Sequence, residues 1–418
     1  MVRVLRVPGF PALLAGQAVN AIGNWVALIT IWGFAAFRFD AGAGDLALLF
    51  VVLAAPGAFL GPLLGVPIDR LGPRRALVIA NFLGFLDALA LTQAHSYQMI
   101  ILLALPLGLI EAMATASLDA LPPRMVHDRD LVRANALLEG AQDVAILVGP
   151  AIAALVYARW GLAGAFLTDA GTFLVGMAVA LPLKIGPVER DSAGTAWREL
   201  TAGLALVRRA PGLQWTFAVA LSTYGLWSLF GVLEPLYVRD VLKQSETTFA
   251  LLQMVFGAGL VGSGLLLAVL GDRMARPRYV AAATVVSGAT AALYLSTRSL
   301  PVAYVGVLLW GIDVAFFYVP AKTLLQRYSP VTAHGRILSL NQSLEPMTEI
   351  VVAPLAAVAV GILGVRLLGV VGGAIAAALG VAALLLAARL APPPPAGPVD
   401  ATAGTSRDAI ALGGQAPG

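Results

Sequence analysis

Apolar runs of about twenty residues, separated by short polar stretches, fill the chain from residue 10 to residue 389. A helix needs roughly 20 apolar residues to cross a bilayer core about 30 Å thick. On that scale the runs predict spans near 10–37, 46–68, 76–94, 98–120, 135–158 and 162–183, and again near 213–238, 248–270, 279–297, 300–321, 336–362 and 366–389. The expected architecture is an all-α membrane protein of twelve transmembrane helices in two pseudo-symmetric six-helix bundles. The bundles take residues 1–183 and 213–390, with a linker at 184–212 and a tail at 391–418.

Polar residues between the runs repeat at a fixed distance. Asp69-Arg70-Leu71-Gly72-Pro73-Arg74-Arg75 returns as Asp272-Arg273-Met274-Ala275-Arg276-Pro277-Arg278, 203 residues later. The same offset pairs Arg124 with Arg327, Arg133 with Arg336 and Gly61 with Gly264. One offset recurring at separate places points to duplicated halves, an arrangement of secondary transporters.

Composition agrees: 59% of residues are hydrophobic, 12% are charged and the mean hydropathy is +0.86, outside the usual range of soluble domains. Lysines and arginines then orient the chain. With both termini in the cytoplasm, 21 of the 27 fall inside and only Arg38, Arg159, Arg239, Lys243, Arg298 and Arg366 fall outside. The basic pI of about 9.5 is thus explained by topology and calls for no nucleic-acid partner. The basic start, Met1 to Pro8, precedes a run too long for a cleavable leader, so the first span is expected to stay. The chain has no cysteine, which excludes disulfides and thiolate metal sites. Its three histidines (His95, His127, His334) sit near span ends or in loops, so no metal site and no cofactor are expected. A Walker-type phosphate loop is missing, and no nucleophile–base grouping marks an enzyme.

In the linker, Trp197, Leu200, Leu204 and Val207 recur at helical spacing among Arg198, Glu199, Arg208 and Arg209. This predicts an amphipathic helix on the inner membrane surface; a solvated linker is the alternative. The tail opens with four prolines after Ala391 and reads as disordered.

The stretch from Gly65 through Asp69, Arg70, Gly72, Arg74 and Arg75 resembles the loop signature of the major facilitator superfamily. Leu121-Pro122-Pro123-Arg124, the run Arg133 to Leu138, and Gly149-Pro150 resemble its bacterial efflux branch, which includes enterobactin-exporter-like and macrolide-efflux-like proteins. The resemblance implies a gating role for Asp69, Arg70 and Arg74, with Asp272 and Arg273 as counterparts. Asp69 would accept hydrogen bonds from a helix N-terminus and pair with an arginine, holding the halves together when the site faces outward. Gly140, Gly149 and Pro150 in the fifth span resemble the antiporter motif of drug exporters, although Ala153 and Ala154 stand where its final glycines would be. Close helix packing explains those small residues equally well. The arginine common in the fourth span of proton-coupled drug exporters is missing here.

Ionisable residues at membrane depth are costly and usually functional. The resemblance implies that spans 1, 4, 7 and 10 line a central cavity. Glu111 and, near the equivalent position 314, Asp313 become the leading proton or substrate pair. Glu139 with Asp143, and Glu345 with Glu349, follow, each pair one helical turn apart. Asp119, Asp169 and Glu234 fall near span ends, where water would reach them. Asn20, Asn24, Thr223, Tyr224, Trp227, Phe316 and Phe317 are the expected cavity lining, suited to a bulky amphipathic ligand. A carboxylate in such a cavity can exchange a proton or hold a cation. Together these features lead to an exporter of small amphipathic molecules such as a drug or siderophore. It would sit in the inner membrane, work as a monomer by alternating access, touch lipid, and use the proton as coupling ion. An importer or a lysophospholipid flippase of the same fold is the alternative.

Overall fold

A computed structural model describes residues 3–60, 64, 68, 70–185, 195–330 and 333–390. Asp69, Gly61, Gly65 and the tail lie outside them. So do the side chains of Glu139, Asp143, Trp197 and Asp272. The described chain is almost entirely helical, without a strand, as hydrocarbon requires when every backbone group must be bonded within its own segment.

The first half consists of α1 (Phe10–Arg38), α2 (Ala43–Ala55, continued by a π turn at Pro56–Leu60), α3 (Pro73–Leu91) and α4 (Tyr97–Asp119), then one helical stretch, Asp128–Ala180. That stretch bends at Gly161, whose φ of 65° and ψ of −162° are open to glycine alone. It therefore divides into α5 (128–160) and α6 (162–180). The second half repeats the scheme with α7 (Pro211–Leu236), α8 (Glu246–Leu270), α9 (Pro277–Ser296) and α10 (Leu300–Tyr328). Its final stretch, His334–Ala387, bends at Gly364 with φ 73° and ψ 163°, giving α11 (334–363) and α12 (365–387). Gly161 and Gly364 stand 203 residues apart, as do the first residues of α2 and α8, and of α4 and α10.

The repeat extends to contacts. Gly108 packs on the Leu53 carbonyl in the first half, and Gly311 packs on the Phe256 carbonyl in the second; both residues of the pair move by the same offset. Nine helices among the described residues are long and apolar enough to cross a membrane. Several hydroxyls inside the bundles bond back to the preceding turn, as Thr30 does to Val26 and Ser263 to Gly259, which satisfies those donors in an apolar interior.

Helix α1 starts at the face near the chain termini and ends at the opposite face, called here the far face. The two cores shared between the halves lie toward the far face. One joins Ile31, Phe34 and Leu46 to Val232, Leu236 and Ala353; the other joins Val26, Ile29 and Ala153 to Phe230, Leu233 and Phe249. Nearer the terminal face each half packs on itself, around Leu13, Leu77 and Leu118 in the first and Trp215, Val280 and Leu324 in the second. Among the described residues, the halves share hydrophobic cores toward the far face, and the cores nearer the terminal face belong to one half each.

Between them runs the helix Thr195–Arg209. Leu206 and Val207 join the Leu213, Leu325 and Ile337 core of the second half, while Leu204 is exposed.

Candidate functional site

A cavity of about 420 Å³ lies where the halves part. α1 contributes Asn24, Trp25 and Trp32, α2 Phe50, α4 Glu111 and Thr115, α5 Gln142, α6 Asp169 and α11 Glu349. Most of the wall is apolar, and Trp32 stacks on Phe50 with ring centroids 4.7 Å apart. Among the described residues its polar anchors include three carboxylates and no lysine, arginine or histidine. The Asn24 amide donates to Glu111 Oε2 at 2.8 Å. The indole nitrogen of Trp32 and the amide oxygen of Asn24 are buried without a protein partner.

Arg239 clasps the far face. It sits in the π turn Tyr237–Val241 that follows α7, and its Nη1 donates to the Ala36 carbonyl at 2.6 Å and the Ala41 carbonyl at 2.9 Å. It also pairs with Asp40 at 3.0 Å and with its neighbour Asp240 at 2.8 Å. One guanidinium thus ties α7 to the α1–α2 turn, using the several donors that only arginine holds in a fixed fork. In the sequence Arg239 is only one of the outside charges, since carbonyl partners leave no mark there.

The structure brings some expected residues together and separates others. Glu111 and Asn24 line the cavity, as does Glu349; Glu345 is exposed one turn closer to the terminal face. Asp313 is not their partner. It is buried within the second half, where the Ser287 hydroxyl donates to it. Thr223 faces Thr284 at 3.2 Å, and Tyr224, Trp227 and Phe317 pack edge to edge at 5.4–6.2 Å, with Phe316 beside the same core. The expected lining from α7 and α10 is therefore largely core of the second half, and α2, α6 and α11 complete the wall instead. Asn20 lies buried beside Asn81 in a narrow gap inside the first half.

At the terminal face Arg70 and Arg273 are exposed. Arg74 donates to the Leu183 carbonyl at 3.1 Å, a contact within its own half. In α5, Gly149 packs directly on the Trp25 indole, where a side chain would clash, and Pro150 is buried beside it. Gly140 has open space around it.

Two acids expected near water are buried instead. Asp169 is 1% exposed with Oδ2 unpartnered, and Glu234 is 5% exposed and accepts from the Tyr294 hydroxyl at 2.9 Å. Asp87 of α3 is buried as well, with an unpartnered Oδ2. A signal was available for the first-half acids: the runs 10–37, 76–94, 97–119 and 162–180 contain no lysine, arginine or histidine. Within those runs an acid has no base at its own depth, since the arginines of these helices sit at their ends, so facing the interior is its least costly position.

The family model of the Major Facilitator Superfamily matches this chain twice, over residues 13–240 and 216–412. The chain belongs to the major facilitator superfamily. It is a multi-pass membrane transporter and not an enzyme. This facilitator is 24% identical over 347 residues to macrolide efflux protein A of Streptococcus pyogenes, covering 80% of this chain and 85% of that one. It is 25% identical over 375 residues to the multidrug efflux pump Tap of Mycolicibacterium fortuitum, covering 83% and 88%. Among solved structures, a nucleoside transporter, NupG, superposes with a TM-score of 0.68 at 10% identity over 92% of this facilitator and all of that chain. A POT family transporter superposes with a TM-score of 0.69 at 11% identity over 91% and 96%. At such identities the solved structures speak for the fold alone.

Proposed function

We propose that this facilitator exports small amphipathic molecules, drugs among them, in exchange for protons. In this reading it crosses the inner membrane twelve times with both termini in the cytoplasm. The far face is then the outside, and the conformation described is open to the cytoplasm. The carrying observation is the cavity: an aromatic wall for an apolar body, three carboxylates without a base, and a clasp closing the far side. Such a site suits neutral or basic amphiphiles and repels anions. The efflux names of the relatives favour export over import. A carboxylate enclosed with no basic partner must take a proton or a cation to enter a dry state, which gives coupling a physical origin at Glu111.

Inside-out membrane vesicles test this. A macrolide such as erythromycin should accumulate when the vesicle lumen is acidified, and collapse of the pH gradient should release it. Uptake indifferent to the gradient would refute coupling. No uptake of any amphiphile in a panel spanning neutral, basic and acidic compounds would refute export.

A further inference from the structure

A second groove, about 380 Å³, opens on the flank of the first half between α3 and α4. Its rim is apolar, with Leu83, Leu86 and Leu109 each about two-fifths exposed. Asp87 lies in its floor, 7% exposed, with Oδ2 free of any protein partner. The groove reaches Ala90, next to the last residue of α3, so it extends to the far face. Behind Asp87 stands Asp169, also unpartnered at Oδ2 and lining the central cavity. α3 lies along α6, with Gly84 against the Phe173 ring and Gly176 against the Asn81 side chain, a register that sets Asp87 opposite Asp169, and Asp169 shares the cavity wall with Glu111. Three carboxylates thus cross the half from flank to cavity.

We propose that Asp87 is the loading site of a proton route that enters from this flank groove and passes through Asp169 to Glu111. This rests on the proton-coupled reading above. The groups facing the route are Glu111 of α4, Asp169 of α6 and the hydroxyl of Thr172, which reaches Asp169 Oδ1 at 3.5 Å; α4 and α6 carry no basic residue, and the bases of α3, Arg74 and Arg75, sit in its first turn, about three helical turns from Asp87. Three acids without a base cannot all be charged in a dry interior, so mobile protons must neutralise them. A metal ion fits less well, since among the described residues no three acids or histidines converge closely enough to hold one. The chemistry is simple transfer: a proton taken up at Asp87 leaves for Asp169, then for Glu111, and the acid left behind reloads from the far face. The free Oδ2 atoms of Asp87 and Asp169 are not bonded to each other here, so the first hand-over awaits a shift of α3 against α6. That break keeps the route from being an open leak while the cavity faces the terminal side.

The test uses the full chain in sealed right-side-out vesicles, without substrate. The outside pH is dropped rapidly, and protonation of the inner carboxyls is followed by infrared absorption, with bands assigned from Glu111→Gln and Asp169→Asn. Asp87→Asn should slow protonation of Glu111 and Asp169 by at least about tenfold, whereas Asp87→Glu should retain the rate. Leu109→Trp keeps the acid and fills the groove, and it too should slow protonation. Wild-type rates in both Asp87→Asn and Leu109→Trp would overturn the route. Should the wild type export without a pH gradient while Asp87→Asn still slows inner protonation, coupling fails and the route stands.

Discussion

Removing the Arg239 guanidinium should unlock the far face. Arg239→Met keeps the apolar stem and deletes the contacts to Ala36, Ala41 and Asp40. The Asp240 pair does not count, because both residues belong to the same turn and stay together in either conformation. The Asp40 pair counts little: that side chain is 90% exposed, and exposed pairs contribute at most about 1 kcal/mol. The two carbonyl bonds dominate. Arg239 is only 19% exposed, and a hydrogen bond to a charged donor contributes about 1.5 kcal/mol at the low end of its range, giving about 3 kcal/mol for two. At 1.4 kcal/mol per factor of ten, the balance between closed and open far faces should shift by about a hundredfold. A population closed 99 times in 100 would then be divided roughly evenly.

The chain contains no cysteine, so spin labels can be placed at will. Gly44 and Ser245 are exposed on opposite sides of the clasp. Labels at Gly44→Cys and Ser245→Cys should show one short distance in the parent and an added long one in Arg239→Met. Arg239→Lys should fall between, since an ammonium cannot reproduce the fork. An unchanged distance distribution in Arg239→Met would refute the reasoning, for the cores at Phe34 and Phe230 would then hold the far face without help.

Asp40→Asn, tested with the same labels, should shift the balance by less than about 1 kcal/mol, because only the exposed pair is lost. Gly161→Ala and Gly364→Ala should each lower thermal stability in detergent by about 1–3 kcal/mol, read from unfolding curves; unaltered curves would show that the bends can straighten. Ser287→Ala should destabilise by about 1–3 kcal/mol by leaving Asp313 buried without its donor, yet spare gradient-dependent uptake in vesicles; lost uptake in folded protein would restore Asp313 to the transport site. Glu111→Gln preserves an acceptor for Asn24 and should abolish gradient dependence while leaving binding of a neutral amphiphile intact. A reporter fused after residue 390 should be cytoplasmic and one inserted at Ser245 external; the reverse would overturn the orientation.

Much of the frame was legible because it depends on quantities additive along the chain. Span length, hydropathy and the 203-residue offset survive errors of several residues in any boundary. The site was less legible because a helix turns about 100° per residue, so which wall a side chain faces depends on boundaries known to a single position. Asp313 and Phe317 sit on the helix expected to line the cavity but on the face that packs into their own half. Asp169 reads as near water because it lies seven residues from the start of its span; α6 begins where expected, at residue 162, but the side chain turns into the bundle and is buried. The Arg239 clasp depends on backbone carbonyls, which every residue has.

Duplication of the backbone does not extend to the buried acids. Moving by 203 residues sets Asp87 against Thr290, Glu111 against Val314 and Asp169 against Gly372, while Asp313 falls on Ile110 and Glu234 on Ile31. The halves repeat their backbone contacts and not their charges. In the second half Glu234 and Asp313 each accept a hydroxyl, from Tyr294 and Ser287, so both serve packing between neighbouring helices. In the first half Asp87 and Asp169 each keep an oxygen unpartnered, a costly state that protein contacts alone do not relieve. Under the proposed coupling, that asymmetry would place the proton chemistry in the first half. The second half contributes Glu349 to the cavity and Arg239 to the clasp at the far face, and in the same reading would be the body against which the first half rocks.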